Sequence, residues 1–314
     1  MDPTALPSGA LRLADWGVIR ALGTDAANFL HGQLTQDTLG LAEGQARLAG
    51  YCSAKGRLLA SFVVWRSGAD EILLACSADL LPATLKRLSM FVLRAKCKLS
   101  DASDELAVHG LAGDHARRWL ADAAPASAWQ ARPCNGARVI RLPDAVGVPR
   151  YLLVQAANAP APDLPALDAA SWQWLEVRSA VARITAPTVD RFVPQMVNLE
   201  LVGGVNFQKG CYPGQEIVAR SQYRGTLKRR AMLFDSDAVL QAGQEIFHSA
   251  DPGQPAGLVA NAAARPGGGS TVLAEVKLAA LGAGSLHALA ADGPLLGPLL
   301  RPLALPYAVT SDAA

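Results

Sequence analysis

The 314-residue chain reads as an α+β protein: a layered body of strands and helices followed by a small all-β domain. Three observations predict this. Up to about residue 227, strand-like alternation interleaves with segments of helical period. From about residue 228 only short apolar runs occur, separated by Gly, Pro and Asp. Hydrophobic content is 51% and charged content 18%, enough apolar material for the cores of two or three domains.

Each element follows from its local pattern. Thr24 and Asp25 offer helix-start oxygens for a helix over about 25–34, with Phe29, Leu30 and Leu34 as its buried stripe. ARLAGYC (46–52), RLLASFVVW (57–65) and EILLACS (71–77) read as strands, with turns at Gly56 and at RSGAD (66–70). A helix over about 80–93 tolerates Pro82 because it falls in the first turn. KCKLSD and LAVHGLA fit two more strands, and Asp114 is placed to cap a helix through HARRWLADAA. Residues 156–170, rich in Pro and Ala, read as a connector. Ser171 then begins a helix in which Trp174, Val177, Val181 and Ile184 recur on one face, and Pro187 ends it. AMLFDSD, QEIFHSA, AGLVANAAA, TVLAEVKLAAL, SLHALAADG and PLLRPLALP supply the strands of a C-terminal barrel.

Charge and cysteine usage exclude several functions. With 29 basic and 27 acidic residues the net charge is +2, so overall charge does not drive nucleic-acid binding, although a local basic patch still could. No apolar run approaches the roughly 20 residues that span a bilayer. The opening MDPTALPSGA lacks the basic flank and apolar stretch of a signal peptide, so a cytoplasmic location without membrane contact is expected. The five cysteines form no C-x-x-C pair, which argues against a disulfide framework and against any self-contained zinc or iron–sulfur site. Cys52, Cys76, Cys97 and Cys134 read as core packing. His109 and His115, either side of Asp114, read as surface histidines rather than metal ligands.

FQKGCYPGQE (207–216) differs: a lysine, a thiol, a phenol and a carboxylate sit among two glycines and a proline. Val205-Asn206-Phe207 reads as the end of a strand, Pro213 as the first helical position, Gln215 and Glu216 as the first turn, and Gly225 as the stop. Cys211 would then precede a helix N-terminus and open onto a central cavity. That placement, with Lys209 nearby, favours thiolate over thiol, whereas an inward Glu216 would oppose it. Gly210 and Gly214 let backbone approach a ligand. Downstream, Arg220, Arg224, Lys228, Arg229 and Arg230 occur with no acid from 217 to 234, an anion-attracting rim or else a solvated edge.

KGCYPGQEIVAR, with VPQMVNLELVGGVNF before it and QYRGTLKRR after it, resembles the signature of the YgfZ family of folate-binding proteins. DAANFLHGQLTQD and CSAKGRLLASF resemble segments shared by that family and the glycine-cleavage aminomethyltransferase, so the likeness runs through most of residues 10–235. The resemblance implies an aminomethyltransferase-like three-domain ring with a C-terminal β-barrel: a body over 1–227 made of two interleaved subdomains, the central one about 46–105, and a barrel over 228–314. It implies tetrahydrofolate or a derivative as cofactor. It also implies support for iron–sulfur client proteins, including a tRNA-thiolating enzyme. Cys211 is then the functional thiol, with Lys209 and Tyr212 beside it. A pterin calls for Tyr212 to stack, for Gln33, Asn198 and Gln215 to read its edge, and for Arg220 or Arg230 to meet its tail. The transferase's Arg-Leu-Glu-Ala-Gly run is here Arg183, Ile184, Thr185, Ala186 and Pro187, and GRLLASFVVW carries no acid where that enzyme has an Asp. Aminomethyl transfer is thereby disfavoured. The alternatives are a folate-dependent methyl- or aminomethyltransferase and a non-catalytic RNA-binding module using the Arg220–Arg230 stripe. Low net charge and the lack of interleaved aromatics argue against direct tRNA contact there.

Overall fold

Among the described residues, largely apolar and buried runs build two five-stranded antiparallel sheets and a closed six-stranded barrel. The structure is a computed structural model that describes residues 6–223, 227–290 and 293–309. The strands are β1 (Gly9–Arg12), β2 (Trp16–Leu22), β3 (Ala46–Cys52), β4 (Leu58–Gly68), β5 (Glu71–Ser77), β6 (Lys98–Asp101), β7 (Leu106–Ala112), β8 (Ala131–Cys134), β9 (Ala137–Ala145) and β10 (Val148–Ala156). One sheet has the order β1-β7-β10-β9-β8 and the other β3-β4-β5-β2-β6. The barrel closes as β11 (Arg229–Ser236), β14 (Ser270–Lys277), β13 (Asp251–Ala264), β12 (Glu245–His248), β15 (Leu286–Ala290) and β16 (Gly293–Leu303). Among the described residues five α-helices join them: α1 (Ala26–His31), α2 (Leu81–Ser89), α3 (Gly113–Leu120), α4 (Ala169–Arg178) and α5 (Gln215–Tyr223).

The two sheets face each other across a core that contains Trp65 and Trp172. Gly110 makes this packing possible: a Cβ there would stand 2.7 Å from the Trp172 ring. A second core links the β3-to-β6 sheet, α1, Tyr212 and the barrel residues Ala231, Leu233 and Leu258. The loop that carries Cys211 is therefore anchored where sheet and barrel meet.

Several elements depart from local expectation. Asp114 lies in the first turn of α3, and Ala112 occupies the capping position without a side-chain bond. Asp168, not Ser171, caps α4, accepting the Ser171 N–H at 2.8 Å. The same helix stops at Arg178 rather than near Pro187, because Ala180 turns to φ 53. Val205–Phe207 is not a strand: the Asn206 N–H bonds Thr35 O at 2.9 Å, and Asn206 Oδ1 takes the Gln208 N–H at 2.8 Å. Pro213 precedes the helix, which starts at Gln215. Gly214 takes φ 78 there, and a Cβ would meet Ser53 O at 2.4 Å. His109 is buried on β7, not on a surface loop, and burial lowers its pKa with help from Arg12. Strands β8, β9 and β10 have no counterpart among the sequence expectations. Gly225 and Arg224 lie outside the described residues.

Candidate functional site

The 203–214 segment is fastened by the turn after α1. Thr35 Oγ1 donates to Gly204 O at 2.6 Å, and Gln36 Nε2 donates to Gly203 O at 2.7 Å. Lys209 reaches back beneath its own loop. Its Nζ donates to His31 O and, at 2.9 Å, to Leu34 O, and it lies 4.8 Å from the centre of the Tyr212 ring. Burial pulls the ammonium down to about 8, against the opposing influence of Asp37 and Cys211. Tyr212 is 6% exposed and burial raises its phenol, so its ring is a platform for Lys209 and not an open stacking surface.

Cys211 is exposed, unlike Cys52 and Cys76, whose buried thiols are pushed up to about 12. The imidazole of His31 leans on the neighbouring Gly210, its Nε2 3.5 Å from where a Cβ would stand. Its Nδ1 bonds Asp37 Oδ1 at 2.9 Å. Burial works to raise the Asp37 carboxyl, but the Gly40 N–H and Arg47 outweigh it and hold it low. Glu216 does not turn inward: it is exposed and pairs with Arg220 at 2.9 Å along α5. Gln215 sits half-buried in the first turn of that helix.

The other residues assigned to a pterin do not converge. Asn198 is fully buried at φ 57, with Nδ2 bonded to Ala231 O at 2.8 Å and to Tyr307 Oη at 3.3 Å. Arg230 is 4% exposed, locked onto Glu200 and bonded to Gln195 O at 3.2 Å. It is structural, and it cannot meet a ligand tail without breaking that pair. Arg220 is taken by Glu216, and Arg229 by Glu275 at 2.8 and 2.9 Å. The basic stripe is thus largely neutralised. Gln33 is half-buried beside α1, with Oε1 a buried acceptor lacking a partner.

A cavity lies between the two sheets and α4, and Cys211 does not line it. The thiol, expected to open onto a central hollow, lies exposed and outside this cavity. The cavity wall includes Trp16, Ser61, Phe62, Trp129, Glu176 and Arg183. Only about 40 Å³ of it admits a water-sized sphere, room for water alone. Pro143, Ser179 and Val181 also border a neighbouring cleft of about 630 Å³, whose wall includes Arg178 and Tyr307.

Glu176 is the feature the sequence expectations missed. Burial raises its carboxyl, against Arg183 and Arg150. Arg183 NH2 lies 3.4 Å from Glu176 Oε2 and 2.5 Å from Asp15 Oδ2. Trp16 Nε1, a buried donor, works with the arginines to pull the Glu176 carboxyl down. Neither Arg183–Pro187 nor GRLLASFVVW supplies an acid, yet a carboxylate enters from α4. The available signal was WQWLEV: Glu176 lies between the buried Leu175 and Val177, so an acid there sits at the margin of the core.

Residues 11–141 match the family described as GCVT N-terminal domain. The glycine cleavage system aminomethyltransferase T of Bartonella henselae superposes with a TM-score of 0.75 over 95% of this chain and 85% of that one, at 16% identity, so the fold is shared. Among the described residues no helix is long and apolar enough to cross a membrane. The tRNA-modifying protein YgfZ of Aliivibrio fischeri is 31% identical over 78% of this chain and 77% of its own length. That of Edwardsiella ictaluri is 37% identical over 73% of this chain and 71% of its own length. With likeness of that degree over most of both chains, on an aminomethyltransferase-like fold, this chain belongs to the YgfZ family.

Proposed function

We propose that the chain is a tetrahydrofolate-binding accessory protein that supports iron–sulfur enzymes and, through them, tRNA modification. The observation that carries the folate part is the half-buried carboxylate of Glu176 in a tryptophan-lined cavity. A pterin is flat, has donors along one edge and carries a tail that ends in carboxylates. Glu176 suits the edge, Trp16 or Trp129 a ring face, and Arg178 in the adjoining cleft the tail. Entry requires the neck at Pro143, Ser179 and Val181 to open, since the cavity as it stands is too small. When bound, tetrahydrofolate supplies a one-carbon carrier.

Titration with tetrahydrofolate should quench tryptophan fluorescence. Glu176→Gln should weaken binding about tenfold or more, the scale of a hydrogen bond to a charged group. Arg178→Ala should weaken a polyglutamyl folate more than a monoglutamate. Wild-type affinity in both variants would remove the cavity from the proposal.

The tRNA part rests on the names of the relatives and on the exposed thiol. Complementation of a deletion strain by Cys211→Ser, read as iron–sulfur enzyme activities, tests it, and full rescue would exclude the sulfur from the role. A single thiolate does not hold a cluster alone, so cluster handling would need a client's ligands. Glu176 also favours a second reading, a folate-dependent transferase, because a carboxylate in the cavity could orient or protonate a folate nitrogen. One-carbon transfer onto tetrahydrofolate, present in the wild type and lost in Glu176→Gln, would decide for it.

A further inference from the structure

Between residues 86 and 98 the chain reads KRLSMFVLRAKCK, with no acid. Lys86, Arg94, Lys96 and Lys98 are all exposed, and none forms an ion pair among the described residues. Interleaved with them are three exposed apolar side chains: Met90 at 57%, Phe91 at 43% and Leu93 at 87%. Leu93 is held at φ 42, a left-handed backbone that a leucine rarely adopts, and it gains no burial there. The guanidinium of Arg87 stands 6.0 Å from the Phe91 ring centre.

A row of lysines on an edge strand can be a defence against sheet-to-sheet pairing, and β6 is the edge of its sheet. That accounts for Lys98. It does not account for an aromatic ring and two aliphatic side chains left in water beside the cations. A membrane-binding segment would present a continuous apolar helix face. Here the apolar face of α2, with Leu81 and Leu88, is buried in the core, and the exposed groups sit in an irregular loop. Cations interleaved with a ring backed by a guanidinium match single-stranded RNA, whose phosphates take the charges and whose unstacked bases take the flat surface.

We infer that the end of α2, the loop over 90–97 and β6 form a docking surface for a single-stranded loop of a structured RNA. Its phosphates lie on Lys86, Arg94, Lys96 and Lys98, and a base stacks on Phe91. The inference does not rest on the folate reading. The surface and the loop that carries Cys211 both contact α1 or its start. The Lys96 N–H bonds Asp25 Oδ2 at 2.7 Å just before α1, and Lys209 Nζ bonds His31 O at the end of α1. Six helical residues span about 9 Å, so one short helix separates the two contacts.

Fluorescence anisotropy with a labelled RNA hairpin, a blunt RNA duplex of equal length, and vesicles of phosphatidylserine in phosphatidylcholine tests the surface. The wild-type chain should bind the hairpin in preference to the duplex and the vesicles. Lys96→Gln with Lys98→Gln should flatten the slope of log affinity against log salt by about 1.4, two single-strand phosphates. Phe91→Ala should weaken the hairpin about tenfold and leave the duplex alone. Arg220→Gln should change neither. These side chains are exposed, so all the variants should melt like the wild type. The inference is overturned if the wild type does not bind the hairpin, if the lysine variant keeps the full salt slope, or if the vesicles are preferred.

Discussion

Residues 220–230 and residues 86–98 are both cation-rich stretches without a local acid, yet the fold treats them in opposite ways. In the first, Arg220, Arg229 and Arg230 each find a carboxylate: Glu216, Glu275 and Glu200. In the second, the exposed cations find none among the described residues. A run of positive charge in a sequence therefore says little about a site until its neutralising partners are known. Buried cations must be compensated, by a carboxylate as at Arg230 or by a carbonyl as at Arg150, because an isolated charge away from water is costly. Exposed ones need no partner and keep their charge for a ligand.

The comparison predicts a graded set of responses. Arg230→Ala should be the most damaging, about 3–5 kcal/mol in urea unfolding, because it strands the buried Glu200. Replacing both by apolar residues, Arg230→Met with Glu200→Leu, should recover much of that loss. If the single variant unfolds like the wild type, the pair is not what holds β11 against the 194–200 segment.

Lys209 is intermediate, half-buried and held by carbonyls instead of an acid. Its folded pKa is about 8 against 10.5 for a free lysine. Between those values the unfolded chain binds the proton and the folded chain does not, so this group makes stability rise with pH across that window and costs stability below it. Lys209→Met should shrink the rise, measured by urea unfolding at a series of pH values. An unchanged profile would refute the burial of the amine.

Smallest is Arg220→Ala, which removes an exposed pair on α5 and should cost about 0.3–0.5 kcal/mol. Lys96→Gln with Lys98→Gln should alter stability within about 0.5 kcal/mol. A large loss from either would mean that the exposed cations are structural after all.

Much of the fold was legible in the residues. EILLACS and LAVHGLA are strands end to end, and all six apolar runs after residue 228 became barrel strands. Short apolar runs and turn residues report on their own few neighbours, so they survive folding unchanged. The 131–156 strands were not recognised, although ARVIRLPDA and VPRYLLVQA pair across a tight turn. Of the candidate site, sequence singled out the loop that carries Cys211, whose thiol the fold leaves exposed and whose Gly214 takes a positive φ. Tyr212, Asn198 and Arg230 did not, because each looks like a polar ligand-binding residue until the core closes over it.

By itself, then, the sequence determined the order and kind of most elements and singled out one thiol. Only tertiary structure decided which charges are spent and which are free. Glu200 and Glu275 stand 30 and 46 residues from the arginines they neutralise, and Glu176 enters the cavity from a helix that local pattern marks as apolar packing. Backbone conformation is set by near neighbours, whereas charge compensation and cavity walls are assembled from distant parts of the chain.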